Sequence, residues 1–339
     1  MSNSPYFRLF PSCRLVNGDH FSVIADLDRG RMIDIPNLMH EVFQHNQKEK
    51  LTVYQLKEYF KNQYDEGIDK IIDFLLKEKL GFFTYDPDLF EDIDLDFETP
   101  YSINNAIVEY AANSPFQLDI LISILNNQGC QAIELRFLEN HSEETINEVL
   151  AKSSCMRIKK IDLLLKYTEN TDVELFSRSL FGNYPRVGSI VFYSSPKNLV
   201  RSERIYNRLI SLTSVNLELL KLTEKKSRHT FVCNLTAFTE AQSFNLGLNK
   251  KLSINRYGKI KNYLSHNAEY GDASEENILM YLQSVEILKT WSISNDEIEV
   301  CKACQYRYGC VDNSAIVSRN GKFFKDQSCN YDPFQNKWI

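Results

Sequence analysis

The 339-residue sequence predicts a mixed α+β and α/β protein in three parts. Three observations carry that prediction. Strand-like alternation near the N-terminus gives way to apolar residues at helical spacing; beyond Pro100 strands alternate with helices; and four of the eight cysteines cluster after residue 300. Between the first two parts, Asp86 to Glu98 holds seven acids in thirteen positions and no basic residue, which reads as a solvated linker with no cation-binding spacing. The boundaries expected from these shifts are 1–86, 87–99, 100–244 and 245–339.

From Tyr6 to about Tyr85 the order is three strands, three helices and a short strand. Phe21 to Leu27 and Arg31 to Ile35 alternate apolar and polar residues around an Asp28-Arg-Gly30 turn, the pattern of a β-hairpin. Pro36 ends it, and Asn37 is read as the cap of a first helix that includes Leu38 and Val42. A second helix begins after Thr52, with Val53, Leu56, Tyr59 and Phe60 on one face. In the third, Ile68, Ile71, Ile72, Leu75 and Leu76 form an apolar stripe, and Gly81 is read as its stop before the wing-like strand Phe82-Phe-Thr-Tyr85. This order is that of a winged helix.

The middle part predicts strands at Asn105–Ala111, Gln131–Phe137, Lys160–Lys166, Ser189–Tyr193 and Thr230–Leu235. Helices are expected between the earlier ones, at Pro115–Asn127 and Glu143–Lys152. Such alternation gives a parallel sheet, open or curled into part of a barrel, and five units are too few to close an eightfold barrel. After Asn245 come a hairpin, Lys251–Asn255 and Arg256–Asn262, and a single helix from Ser274 to Trp291.

Composition narrows the function. With 43% hydrophobic and 25% charged residues the chain is an ordinary folded protein. Its net charge of −6 disfavours nucleic acid as a partner, since phosphate-backbone binding relies on clustered Lys and Arg. No apolar run approaches the roughly eighteen residues of a membrane helix, and the start lacks the charge and apolar core of a secretory signal. A cytoplasmic protein with reduced thiols is expected, so clustered cysteines point to metal rather than disulfides. Neither a dinucleotide fingerprint nor a phosphate loop occurs. His20, His40, His45, His141, His229 and His266 are scattered and stand beside no nucleophile; only His266, after the hairpin, is placed for a polar contact near the cysteines. Cys13, Cys130, Cys155 and Cys233 are isolated and are read as small buried apolar residues.

The chemistry lies in Cys301, Cys304, Cys310 and Cys329, spaced C-x2-C-x5-C-x18-C. Four neighbouring thiolates require a soft cation, and either tetrahedral zinc or a cubane iron–sulfur cluster accepts them. Zinc ribbons present two C-x2-C pairs, whereas here one pair is followed by two lone cysteines, which favours iron–sulfur and leaves zinc open. Tyr306, Tyr308, Tyr331, Phe334 and Trp338 are placed to form a dry shell around the metal. Arg307 either donates to cluster sulfurs or points to solvent.

The segment Cys301-Lys-Ala-Cys-Gln-Tyr-Arg-Tyr-Gly-Cys310, ending in Cys329-Asn-Tyr-Asp-Pro-Phe-Gln-Asn-Lys-Trp338, resembles the SPASM domain of radical S-adenosylmethionine peptide maturases. It is most similar to the SPASM proteins of grasp-with-spasm systems, which are encoded with an ATP-grasp ligase and a small ribosomal precursor peptide. Phe7-Arg-Leu-Phe-Pro-Ser-Cys13 and the Ala25 to Arg31 hairpin resemble that group too, and the winged helix resembles the recognition element that grips leader peptides. The resemblance implies a [4Fe-4S] cluster on Cys301, Cys304, Cys310 and Cys329. A second auxiliary cluster is not implied, because its ligand positions hold Ser314 and, in Gly258-Lys-Ile-Lys-Asn-Tyr263, a tyrosine. S-adenosylmethionine is not an expected cofactor either: no C-x3-C-x2-C occurs, the loop Ala111 to Leu118 has no cysteine, and Arg136 to His141 lacks the family's glycines. The middle part therefore reads as a degenerate barrel, and whether any catalysis is retained stays open.

These readings combine into one expectation. The chain is a maturation partner for a ribosomally synthesised, post-translationally modified peptide, acting with an ATP-grasp ligase. Leader peptide adds to the edge strand at Arg31, Ile33 and Ile35, against Ile68, Ile72 and Lys77 of the third helix. The alternative is a winged-helix DNA-binding regulator with a structural zinc tail; the acids of the third helix, Asp65, Glu66, Asp69, Asp73 and Glu78, oppose it. The sequence leaves a homodimer open.

Overall fold

The N-terminal alternation folds into four strands rather than three: β1 (Tyr6–Leu9), β2 (Cys13–Val16), β3 (Phe21–Asp26) and β4 (Arg31–Pro36). The fold is seen in a computed structural model that describes residues 4–154, 156–196, 203–205, 208–216 and 231–339. β2, β3 and β4 form an antiparallel sheet with β4 at an edge, as expected. The turn between β3 and β4 uses Gly30 at φ 66° and is held by the fully buried Asp26, which accepts from Arg31 Nη2 at 2.9 Å and Arg29 Nη1 at 3.2 Å. β1 instead pairs with β5 (Gly81–Thr84), beyond the helices.

Three helices follow: α1 (Asn37–Glu49), α2 (Val53–Tyr59) and α3 (Asp65–Lys77). Pro36, not Asn37, occupies the cap of α1; the Asn37 amide instead donates to the Asp19 carbonyl at 2.9 Å and its oxygen accepts from Ser22 at 2.7 Å, tying the β2–β3 turn to the helix. Thr52 caps α2 through a reciprocal pair with Gln55. The stop of α3 differs from expectation. Lys79, at φ 57°, takes the left-handed position, and Leu80 N–H returns to the Leu75 carbonyl at 2.8 Å, closing the helix before Gly81 is reached. Gly81 serves a close approach: a Cβ there would lie 2.5 Å from both the Arg8 carbonyl and the Phe7 ring. Phe7, Ile24, Ile35, Phe43, Leu56, Ile68, Ile72 and Leu75 make the core of this unit.

Residues 86–98 are a docked strap rather than a free linker. Ile93, Leu95 and Phe97 turn inward and are half-buried while the intervening acids face water. Asp92 meets Arg14 at 3.3 Å, Asp88 meets Lys50, and the Phe97 ring lies 6.0 Å from that of Phe244.

The second part builds the expected alternation: β6 (Asn105–Tyr110), α4 (Leu118–Asn127), β7 (Ala132–Phe137), α5 (Glu143–Ser153), β8 (Lys160–Lys166), α6 (Val173–Asn183) and β9 (Val187–Tyr193). β10 (Glu203–Ile205) and β11 (Arg208–Leu212) follow. The strand expected at 230–235 falls partly outside the described residues; 231–234 is irregular, and α7 (Leu235–Ser243) starts there, capped by Asn234. The hairpin is β12 (Lys251–Ile254) with β13 (Ile260–Lys261). β12 pairs in parallel with β6, so the central sheet continues past the boundary read at residue 244.

The eight strands run β10-β11-β9-β8-β7-β6-β12-β13, and the sheet stays open. One face is apolar and packs on helices: Val108, Leu135, Phe137, Leu163 and Ile190 join Leu121, Leu125, Leu150 and Leu180 in the largest core. Glu109 and Arg136, 3% and 5% exposed, are buried polar residues at alternate positions of the same strands, and Arg136 pairs with Glu134. The expected helix 274–291 is broken in two, α8 (Glu275–Gln283) and α9 (Val285–Ser292), because Ser284 at ψ 123° leaves helical geometry. Short hairpins, β14 (Ile316–Arg319) with β15 (Lys322–Lys325) and β16 (Tyr331–Asp332) with β17 (Lys337–Trp338), end the chain. Among the described residues no helix is long and apolar enough to cross a membrane.

Candidate metal centre

Two 3-10 turns, Cys301–Ala303 and Arg307–Gly309, and the loop before β16 bring Cys301, Cys304, Cys310 and Cys329 to the wall of one cavity of about 480 Å³. The rest of the wall is mixed: the aromatic Phe231, Phe324, Tyr331 and Phe334 stand among charged residues that include Glu299, Asp312, Arg319, Lys325, Asp326 and Asp332. Among the described residues no three His, Cys, Asp or Glu side chains close on a single point as one ion requires. The four thiols share a cavity wall without converging on a common point.

Local backbone geometry sets the first ligand. Val300 immediately before Cys301 sits at φ 68°, ψ −50°, a conformation costly for a β-branched residue, and it is 43% exposed, so side-chain burial does not compensate. Val300→Gly is expected to gain about 1 kcal/mol of stability, the strain of one such residue, with metal content unchanged. Urea unfolding checks this, and a lower midpoint would remove the strain argument.

Burial favours the protonated form of two of the four thiols, as it does for the isolated Cys13 and Cys130. Burial pushes the Cys304 thiol up to about 12, and the neighbouring Cys301 and Cys329 add to it. Cys310 is held well above the ordinary thiol range by burial first and then by Asp312. Buried thiolates of this kind form only when a cation compensates their charge. Cys329 is exposed, and its sulfur accepts from the Tyr331 N–H at 3.4 Å.

Arg307 neither reaches the cavity sulfurs by hydrogen bond nor points to solvent. It is 7% exposed, donates from Nε to Asp296 at 2.6 Å and from Nη2 to the Asn17 side chain at 2.8 Å, and reaches the Cys304 carbonyl at 3.2 Å. One guanidinium therefore ties the C-x2-C turn to the β2–β3 loop. Other contacts repeat the connection. The Tyr306 hydroxyl donates to Asp34 of β4 at 2.6 Å, and Asp19 N–H donates to the Ala303 carbonyl at 2.8 Å. Tyr306, Tyr331, Phe238, Val16, Val23, Ala25 and Leu27 form a shared core on the back of the three-stranded sheet. Of the expected aromatic shell, Tyr306 and Tyr331 are buried, Trp338 and Tyr308 half-buried, and Phe334 is 50% exposed.

Sequence reasoning missed Phe231, whose ring stacks on Tyr306 at 4.9 Å, and Val232, whose N–H donates to the Gly309 carbonyl at 2.9 Å. A signal existed in Gly309 itself, between two candidate ligands: a Cβ there would lie 2.2 Å from Met32 Cε and 2.7 Å from the Val232 carbonyl. The positions where a second cluster's ligands would lie are differently filled. Tyr263 is buried with Ile107 and Leu264, Ser314 donates to Asp312 at 2.6 Å, and His266 Nε2 lies 2.8 Å from the Asn313 carbonyl. The loop Ala111 to Leu118 is pinned by Ser114, which donates to the Arg256 carbonyl at 3.0 Å.

The six residues expected to bind peptide divide in two. Ile35, Ile68 and Ile72 are 1%, 2% and 4% exposed and belong to the core beneath β4 and α3. Arg31 and Ile33 are half-buried on β4, and Lys77 is exposed on α3. Arg31 also bridges strand and helix, donating to the Glu78 carbonyl at 3.1 Å.

No protein-family profile matches the sequence, and no curated protein matches it. Among solved structures the chain is similar to the crystal structure of Streptococcus suis SuiB, at 11% identity over 91% of this chain and 94% of that one, with a TM-score of 0.35. A likeness at that score carries no argument, and the function is read from the site's own residues.

Proposed function

We propose that the chain is a peptide-binding maturation partner. Its N-terminal unit, acting as a winged-helix recognition element, takes a ribosomal precursor's leader peptide as an added strand on β4, and its C-terminal cysteines hold one [4Fe-4S] cluster. An ATP-grasp ligase modifies the presented peptide. The observation that carries this reading is the joint between the two ends of the chain: edge strand β4 is braced from behind by the cysteine turn, through Tyr306 on Asp34. A cluster would compensate four thiolates and offer an electron-accepting centre. The protein's own residues would do the rest: Cys301, Cys304, Cys310 and Cys329 would hold it, Phe231, Phe324, Tyr331 and Phe334 would cover part of it, and Arg307 fixes the turn.

Strand addition needs an open backbone edge and nearby side-chain subsites. β4 supplies the edge, with Ile33 as an apolar contact and Lys77 as a charged one. A calorimetric titration with leader peptide is expected to show binding, weakened roughly tenfold by Ile33→Ser, the loss of one partly buried apolar contact. Folded protein that binds no leader would remove the mechanism. The zinc-tailed DNA-binding reading is disfavoured by α3, whose Glu66, Asp69 and Asp73 are all exposed and would face a phosphate backbone.

A further inference from the structure

Arg8 lies on β1 directly opposite Phe82 of β5, on the face away from the core residues Phe7 and Leu9. It is 6% exposed, and its Nε and Nη1 atoms have no hydrogen-bond partner among the described residues. A permanently charged guanidinium buried in this way is costly, because two of its three nitrogens have given up water without gaining an acceptor. The strand partner beside it is aromatic: the rings of Phe10 and Phe90 lie 5.1 and 4.6 Å from that of Phe82, making an apolar wall. The nearest acid of known influence, Asp88, is already engaged by Lys50. Lys50 thus holds the carboxylate that Arg8 acts on only at a distance.

Such an arrangement contributes nothing to folding that an apolar residue would not, but it is preorganised for an anion. Around it the surface is apolar, with Leu89 and Phe90 74% and 38% exposed. Charge and apolarity together select the occupant: not free phosphate, which would leave the aromatic wall uncovered, but a carboxylate carried on an apolar segment.

We propose that Arg8 is the anchor of a second peptide subsite, which takes the carboxylate of a Glu or Asp side chain whose apolar neighbours cover Phe82, Leu89 and Phe90. The subsite lies on the β1–β5 pair and stands whether or not β4 accepts a leader.

Terminally blocked peptides with one Glu between leucines, and the same peptides with Gln, would be titrated into the full chain by fluorescence anisotropy. The Glu peptide should bind roughly tenfold or more tightly than the Gln peptide, the value of a charge-assisted hydrogen bond to a guanidinium. Arg8→Met should abolish that difference while leaving the urea midpoint equal or higher, since it removes an uncompensated buried charge. Arg8→Lys should keep part of the preference. Equal binding of the Glu and Gln peptides by the unaltered protein would overturn the proposal, as would Glu-peptide binding that millimolar inorganic phosphate fully displaces while phosphate alone binds as tightly. So would Arg8→Met protein that fails to fold or unfolds at lower urea, because the guanidinium would then be serving the fold.

Discussion

Cys304→Ala protein is expected to bind its metal at least roughly a hundredfold more weakly, beyond the range that loss of a mere supporting contact produces. Cys304 is the thiol of the four that joins the core shared with the sheet: its side chain packs with Tyr306, Tyr331 and the back of β3. The effect should extend to leader binding, because the turn that carries Cys304 also carries Tyr306, and Tyr306 holds Asp34 on β4. pH adds a signature. The folded thiol lies near 12 against an ordinary 9.0, so in metal-free protein its contribution to stability is complete below 9.0 and is lost as pH rises towards 12. Metal-loaded protein, with these thiolates already formed, should lose less over that window, since only the raised thiols of Cys13, Cys130 and Cys233 then contribute to the loss from cysteine. Inductively coupled plasma analysis of purified variant and alkaline unfolding of both forms check these outcomes.

Arg307→Ala is expected to destabilise the chain by about 3 kcal/mol, the cost of leaving a buried ion-pair network without its cation. Asp296 is partly solvated, which places the figure at the low end of the range for such pairs; the loss of two contacts to Asn17 and one to Cys304 prevents it from being small. The variant should unfold at lower urea and lose leader affinity together, since Arg307 joins the cysteine turn to the β2–β3 loop. A variant that lost metal but kept its urea midpoint would assign Arg307 to the metal rather than to the joint.

Period and spacing made much of this fold legible. The α3 stripe, the β3–β4 hairpin and the β6 to β9 alternation follow from apolar residues that each satisfy a single local demand. Where the reading went astray, two demands fell on one residue. Gly81 looks like a helix stop but answers the approach of β1, while Lys79 adopts the left-handed turn. Ser284 divides an apolar stretch that continues in period on either side. The acidic strap misled through composition, because Ile93, Leu95 and Phe97 are too sparse among acids to signal burial. At the site, the four cysteines were legible by number and spacing. The joint was not, because its parts, Asn17, Asp34, Phe231 and Tyr306, are separated by up to 289 of the chain's 339 positions and carry no shared pattern. Ile35, Ile68 and Ile72 show the same limit: periodicity marks them apolar but cannot tell a groove surface from the core under it.

The proposed function needs the four thiols around the shared cavity to hold one [4Fe-4S] cluster. Metal and sulfide analysis of anaerobically purified protein tests it most directly. About four irons and four acid-labile sulfides per chain, lost together in Cys304→Ala, are the expected result; one zinc per chain with no iron or sulfide would contradict it.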